Sequence, residues 1–176
     1  DPRFYASLGA LTLEAAAGLT GAELAGDPAL EITGVAAADS ARDGEIAFLE
    51  GDGAGQAPFG PNLKLVIVTP EARSRLGDGV SGLVSKSPRH AHNRIARALF
   101  QPRHAMRQEA VALSPSARIH PKAALGPGVV VGAGAAIGEG TVVCPNAVIG
   151  PGVQIGRNCH IGAGVTVHCA LVGDHV

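Results

Sequence analysis

Tryptophan is absent from this 176-residue sequence, tyrosine occurs once and phenylalanine four times. So few aromatics exclude a stacking platform for nucleic-acid bases and a conventional aromatic core. An excess of charge of one sign is also lacking: 14 Lys and Arg stand against 15 Asp and Glu, for a net charge of −1. The chain therefore has no electrostatic footprint for nucleic acid or an anionic membrane. No apolar run approaches the roughly 20 residues of a transmembrane helix, and no signal-peptide layout opens the chain. The three cysteines, Cys144, Cys159 and Cys169, lie fifteen and ten residues apart. These spacings match no zinc ribbon or finger, so no metal is expected. The cysteines read as small buried thiols in a reducing compartment.

Glycine and proline, by contrast, are abundant, with 25 and 12 residues, and many of them are in phase. From residue 119 onward every sixth residue is aliphatic: Ile119, Leu125, Val131, Ile137, Val143, Ile149, Ile155, Ile161 and Val167. The fourth residue after each of the first eight is small or β-branched, as in Val129, Thr141 and Cys159. The third is Lys122, then Gly128, Gly134, Gly140, Asn146, Gly152, Asn158 and Gly164. Gly and Asn enter positive φ most cheaply. Pro127-Gly128, Pro145-Asn146 and Pro151-Gly152 carry the type II turn signature. A helix cannot hold a period of six, and this density of Gly and Pro would break one. A turn at every sixth residue describes a coil with three short flat sides, one coil per eighteen residues. The aliphatic residues point inward, and successive coils rise by about 4.8 Å, the spacing of adjacent strands. This pattern resembles the hexapeptide-repeat, left-handed parallel β-helix.

After Val167 the next aliphatic residue in phase is Val172, one residue early, which marks an irregular corner. The chain reaches Val176 with no helix or polar outer face to close the coil. Solenoids need capping units, so the β-helix is expected to be truncated at its C-terminal end.

Residues 1–100 read differently, as a small α/β domain. Leu11–Ala17 is a short helix with Thr12 as N-cap and Gly18 or Gly21 as its stop. Leu30–Val35, Glu45–Leu49, Leu63–Thr69 and Gly82–Ser85 read as strands. Leu63–Thr69, nearly continuous in Val, Ile and Leu, is expected at the centre of the sheet. Ser87 caps a second helix with Pro88 at its first position, and the helix's apolar face is Ala91, Ile95, Ala98 and Leu99. Residues 101–113 form a polar linker with a helical start, and 114–176 the β-helix. Gly51-Asp52-Gly53-Ala54-Gly55 lacks the Lys-Ser/Thr of a phosphate loop and reads as a surface loop. Lys86, Arg89, His90, His92, Arg94 and Arg97 read as a solvated helix face, with docking to an acidic partner the alternative. His120, His160, His168 and His175 lie in or beside the hexads, and no Ser/His/Asp arrangement is visible.

The order of an α/β domain followed by hexads adds a more specific likeness. Ile32-Thr33-Gly34-Val35-Ala36, Ser40-Ala41-Arg42-Asp43-Gly44-Glu45-Ile46-Ala47-Phe48-Leu49, the helix from Ser87-Pro88 to Phe100, and Ser114-Pro115-Ser116-Ala117-Arg118-Ile119-His120-Pro121 resemble the N-terminal part of the UDP-3-O-acylglucosamine N-acyltransferases of lipid A biosynthesis. The likeness spans essentially the whole chain. It implies a cytoplasmic homotrimer that moves a 3-hydroxyacyl group from acyl carrier protein to the 2-amine of a UDP-3-O-acylglucosamine, with no metal or bound coenzyme. It implies that the first domain binds the uridine of the UDP-sugar, with Phe48 stacking on uracil. The family's general base lies in an Ile-Ala-His-Asn-like segment that this sequence lacks, so the catalytic residue is expected beyond Val176. The Asn-Pro-Lys-Tyr-like run that helps to hold uracil is replaced by Glu50-Gly51-Asp52-Gly53-Ala54. Two other readings fit the hexads: another hexapeptide acyltransferase acting on a nucleotide sugar with acetyl-CoA, and a non-enzymatic trimeric scaffold.

Overall fold

The structure is a computed structural model that describes residues 1–50, 63–75, 79–106 and 112–176. The glycine-rich stretch at 51–55 and part of the linker, 107–111, lie outside the described residues. Contacts divide the chain into two compact units. One is Ser7–Phe100; the other joins Asp1–Ala6 to Gln101–Val176.

In the first unit a five-stranded sheet runs in the order Glu23–Ala25, Ser81–Val84, Leu65–Val68, Glu45–Phe48, Gly34–Val35. The edge strand Glu23–Ala25 is antiparallel to its neighbour; the other pairings are parallel. Leu65–Val68 is central and buried along its length. Its alternation splits the core in two. Leu65 and Ile67, with Ile46 and Leu83, meet helices α1 (Leu13–Thr20) and α2 (Pro88–Leu99) on one face. Val66 and Val68, with Ala47, meet Ala41 and Ala72 on the other. Strands buried on both faces need apolar residues at every position, which is why this stretch carries no alternation of polarity.

The local signals for α1 hold. Thr12 Oγ1 accepts the Ala15 N–H at 3.1 Å, and Gly21 closes the helix at φ 69°. Three expectations need correction. The helix expected over Leu11–Ala17 spans Leu13–Thr20, and Leu11–Thr12 is a strand. Ser87 stands at the N-cap of α2 but makes no capping hydrogen bond through its side chain. Leu30–Val35 is not one strand. Glu31–Ile32 pairs with Leu11–Thr12, whereas Gly34–Val35 pairs with Glu45–Ile46. Thr33 lies between them, its N–H donated to Gly44 O at 2.8 Å.

In the second unit the hexads form three stacks of two-residue parallel strands. Arg118↔Ala136 and Ile119↔Ile137, Ala124↔Val142 and Leu125↔Val143, and Val130↔Val148 and Val131↔Ile149 begin the three faces. Each pairing spans eighteen residues, one coil. Val131, Val143, Ile149 and Ile155 are buried in a common core. Gly128, Gly134, Gly140, Gly152 and Gly164 have φ between 67° and 72°, and Asn146 and Asn158 have φ 60° and 53°. These coils, pairings and turns are consistent with the left-handed β-helix expected from the hexads. The irregular corner is also present: Gln154↔Leu171 and Ile155↔Val172 pair one residue short of a full coil. Cys169 makes the tight turn at φ 50°, and His175 resumes the turn phase at φ 62°.

Glycine also recurs immediately after the inward aliphatic residues, for a different reason. A Cβ on Gly132 would stand 2.6 Å from Pro151 N on the next coil. At Gly132 the next coil leaves no room for a side chain.

Candidate ligand site

Phe48 ends its strand, on the same face as Ile46 and opposite Ile67 of the central strand. Period-two alternation directs it toward the helices. The carboxyl ends of parallel strands are where α/β sheets take ligands. The ring is half-buried and bordered by two residues of the first turns of α2. His92 packs at 4.9 Å between centroids, tilted by 53°. The Arg89 guanidinium lies 5.0 Å from the ring centroid, close enough for a cation–π contact.

Glu50 completes the cluster. Its carboxylate accepts the Arg89 backbone N–H at 2.9 Å and Arg89 Nε at 3.2 Å. The first turn of α2 holds no acidic residue of its own, so Glu50 supplies both the missing cap and the negative charge that a helix N-terminus favours. This is the work Ser87 was expected to do.

Burial lowers the pKa of His92, and a hydrogen bond with the Ile46 backbone opposes that shift. Its Nε2 is buried without a hydrogen-bond partner among the described residues. The sequence places His92 and Arg89 on a solvated basic face; Arg89 is exposed there, whereas His92 is half-buried. The signal that could have separated them was register: His92 follows Ala91 and lies four residues after Pro88, at the flank of the buried stripe Pro88, Ala91, Ile95 and Leu99.

The solenoid histidines and cysteines are distributed differently from the uniform buried-thiol reading. Cys159 is buried, Cys144 half-buried and Cys169 exposed. The Cys159 thiol donates to Gly173 O at 3.0 Å. Cys144 Sγ lies 3.5 Å from His160 Nε2. His120 Nδ1 accepts the Lys122 N–H at 3.2 Å. His168 stacks on His104, with centroids 5.0 Å apart. Among the described residues no three His, Cys, Asp or Glu side chains are grouped to hold a metal ion, and no helix is long and apolar enough to cross a membrane.

Residues 134–169 match the bacterial transferase hexapeptide (six repeats) family. The UDP-3-O-acylglucosamine N-acyltransferase of Granulibacter bethesdensis is 35% identical over 128 residues, 68% of this chain and 37% of that protein. The enzyme of the same name from Methylorubrum extorquens is 40% identical over 125 residues, 68% of this chain and 35% of that protein. That of Parvibaculum lavamentivorans is 34% identical over 125 residues, 70% of this chain and 35% of its own length. The matched region thus spans little more than a third of the length of these relatives. Over about two thirds of its own length the chain resembles the UDP-3-O-acylglucosamine N-acyltransferases, and its solenoid carries the bacterial transferase hexapeptide repeat.

Proposed function

We propose that this chain is the substrate-recognition part of an N-acyltransferase that moves a 3-hydroxyacyl group from acyl carrier protein to the 2-amine of a UDP-3-O-acylglucosamine, a step of lipid A biosynthesis. The working enzyme is a cytoplasmic homotrimer. Its first 100 residues form the uridine-binding domain, residues 101–113 the linker, and 114–176 part of the left-handed β-helix. Uracil stacks on Phe48. The general base is a histidine outside residues 1–176, which takes the amine proton as nitrogen attacks the thioester carbonyl. No metal or coenzyme takes part.

The observation that carries this reading is the half-buried Phe48 ring at the carboxyl end of its strand, in a chain whose curated relatives bear that enzyme name. The bare solenoid surface supports the trimer: Glu139 is the single Asp, Glu, Lys or Arg between residues 123 and 156, and so little charge is unusual on a monomer's surface.

Two measurements test it. Titration of a UDP-sugar should shift the amide resonances around Phe48. Phe48→Leu should weaken binding by about tenfold, since base–aromatic stacking is worth roughly 1–3 kcal/mol. Thermal stability must be followed beside it, because trimming a half-buried Phe costs stability as well. No perturbation near Phe48 at millimolar UDP-sugar rejects the uridine site. Acyl transfer by residues 1–176 alone rejects the assignment of the base to a segment outside them.

A further inference from the structure

Three side chains meet where the solenoid loses a residue. The His104 and His168 rings stack with their planes at 29°, and Cys169 Sγ lies 3.7 Å from His104 Nδ1. Cys169 is exposed and turns the corner at φ 50°, a conformation uncommon for a residue other than Gly, Asn or Asp and often associated with functional sites. Both imidazoles line a groove whose remaining walls include Val130, Val131, Val148 and Ile149. Its volume is about 100 Å³, well below the roughly 300 Å³ at which drug-sized pockets begin. A groove of that size and lining takes a short apolar chain and has no room for a nucleotide.

The other cysteines lack this combination. The Cys159 thiol is buried and donates to Gly173 O. Cys144 has a histidine neighbour in His160, but it is half-buried.

We propose that Cys169 is an acyl-accepting thiol that exchanges with short-chain acyl thioesters, with His104 carrying the proton. As Cys169 Sγ attacks the thioester carbonyl, its proton passes to His104 Nδ1, which must be the unprotonated ring nitrogen. The tetrahedral intermediate then breaks its bond to the departing sulfur, and that thiolate takes the proton from His104. One C–S bond forms and one breaks, so no oxidant or reductant is required. His168 holds the His104 ring by stacking, and the groove receives the acyl chain. This chemistry is separate from the N-acyl transfer proposed above and does not depend on it.

The test is incubation of the intact chain with the butyryl thioester of N-acetylcysteamine, followed by peptide mapping by mass spectrometry. A single butyryl group on Cys169, released by neutral hydroxylamine, is the expected result. Cys169→Ser should abolish it and Cys144→Ser should leave it unchanged. His104→Gln and His104→Asn should each slow it at least tenfold while iodoacetamide still alkylates Cys169, which separates loss of the base from loss of access. Acylation at Cys144, no acylation in the wild-type chain, or a wild-type rate in a His104 variant that melts normally would each overturn the proposal. Should both His104 variants fail to fold, the wild-type map still decides between Cys169 and Cys144.

Discussion

Thr141 Oγ1 accepts the backbone N–H of Cys159, eighteen residues ahead, at 3.0 Å, and donates its own proton to Gly156 O at 2.8 Å. Thr141 is fully buried in a core otherwise built of aliphatic and small residues. A hydroxyl has one donor and two acceptor sites, so these two bonds tie one coil to the next and leave its proton satisfied. Thr141→Val should destabilise the solenoid by about 2 kcal/mol, because it strands a buried N–H and a part-buried C=O. Thr141→Ser keeps both bonds and should cost much less. Denaturant melts of the two variants compare them directly, and equal stability of Thr141→Val and wild type would remove the bond from the account.

Ile149 is wholly buried and pairs with Val131 below and Val167 above. Ile149→Ala should cost about 2–5 kcal/mol, the usual range for a truncation that leaves a cavity. Ile149→Asp should unfold the coils around it, since an unpaired buried charge finds no compensation there. Circular dichroism and limited proteolysis read both. A folded, protease-resistant Asp variant would mean that the inward stack is not the core.

The glycines of the coil fall into two kinds that respond to different substitutions. Gly134 has φ 67° and open space at its Cβ position, so Gly134→Asn should be tolerated, and Gly134→Ala should cost about 1–2 kcal/mol of left-handed strain. Gly132 has the opposite problem, a Cβ that would press on Pro151 N at 2.6 Å. There Asn should be no better than Ala. Melting temperatures of the four variants test the distinction, and rescue of Gly132 by Asn would contradict it.

His92 carries a pH signature. Burial holds its pKa below the ordinary value, so the unfolded chain binds the proton more readily than the folded one. The contribution to stability is complete above the unfolded pKa of about 6.5 and is lost as pH falls through the lower folded value. His92→Phe should flatten the stability of the first unit between pH 7 and pH 5, and wild-type stability should drop over that interval. An identical pH profile for the two proteins would refute the assignment.

Asp174 pins the short coil to the one beneath it. Its carboxylate accepts Arg157 N at 2.7 Å, Arg157 Nη2 at 2.7 Å and Arg157 Nε at 3.1 Å. Those bonds lower its pKa. The stabilisation is present above the unfolded aspartate value of about 3.9 and fades as pH falls through the depressed folded value. Asp174→Asn should speed hydrogen exchange at Val172 and the amides around it at neutral pH, with little change at Ile149. Uniform acceleration across the solenoid would show the pair to be part of the global fold instead of a local clasp.

The solenoid was legible in the sequence because its rule is local and repeated. An aliphatic residue every sixth position and a Gly or Asn three residues later set both the inward face and the turn. The missing residue before Val172 announced the irregular corner in the same way, and Pro88 marked the start of α2. What tertiary structure alone decided are pairings between segments that local pattern does not connect. Thr33 divides Leu30–Val35 because the flanking pairs find different partners, Leu11–Thr12 and Glu45–Ile46. Glu50 caps α2 across 39 residues in place of Ser87. His92 leaves the basic face to pack on Phe48, and His104 meets Cys169 across 65 residues. Periodicity reports which way a side chain points. It does not report which distant backbone or ring will be waiting there, because that depends on how strands and coils stack once the chain has closed on itself.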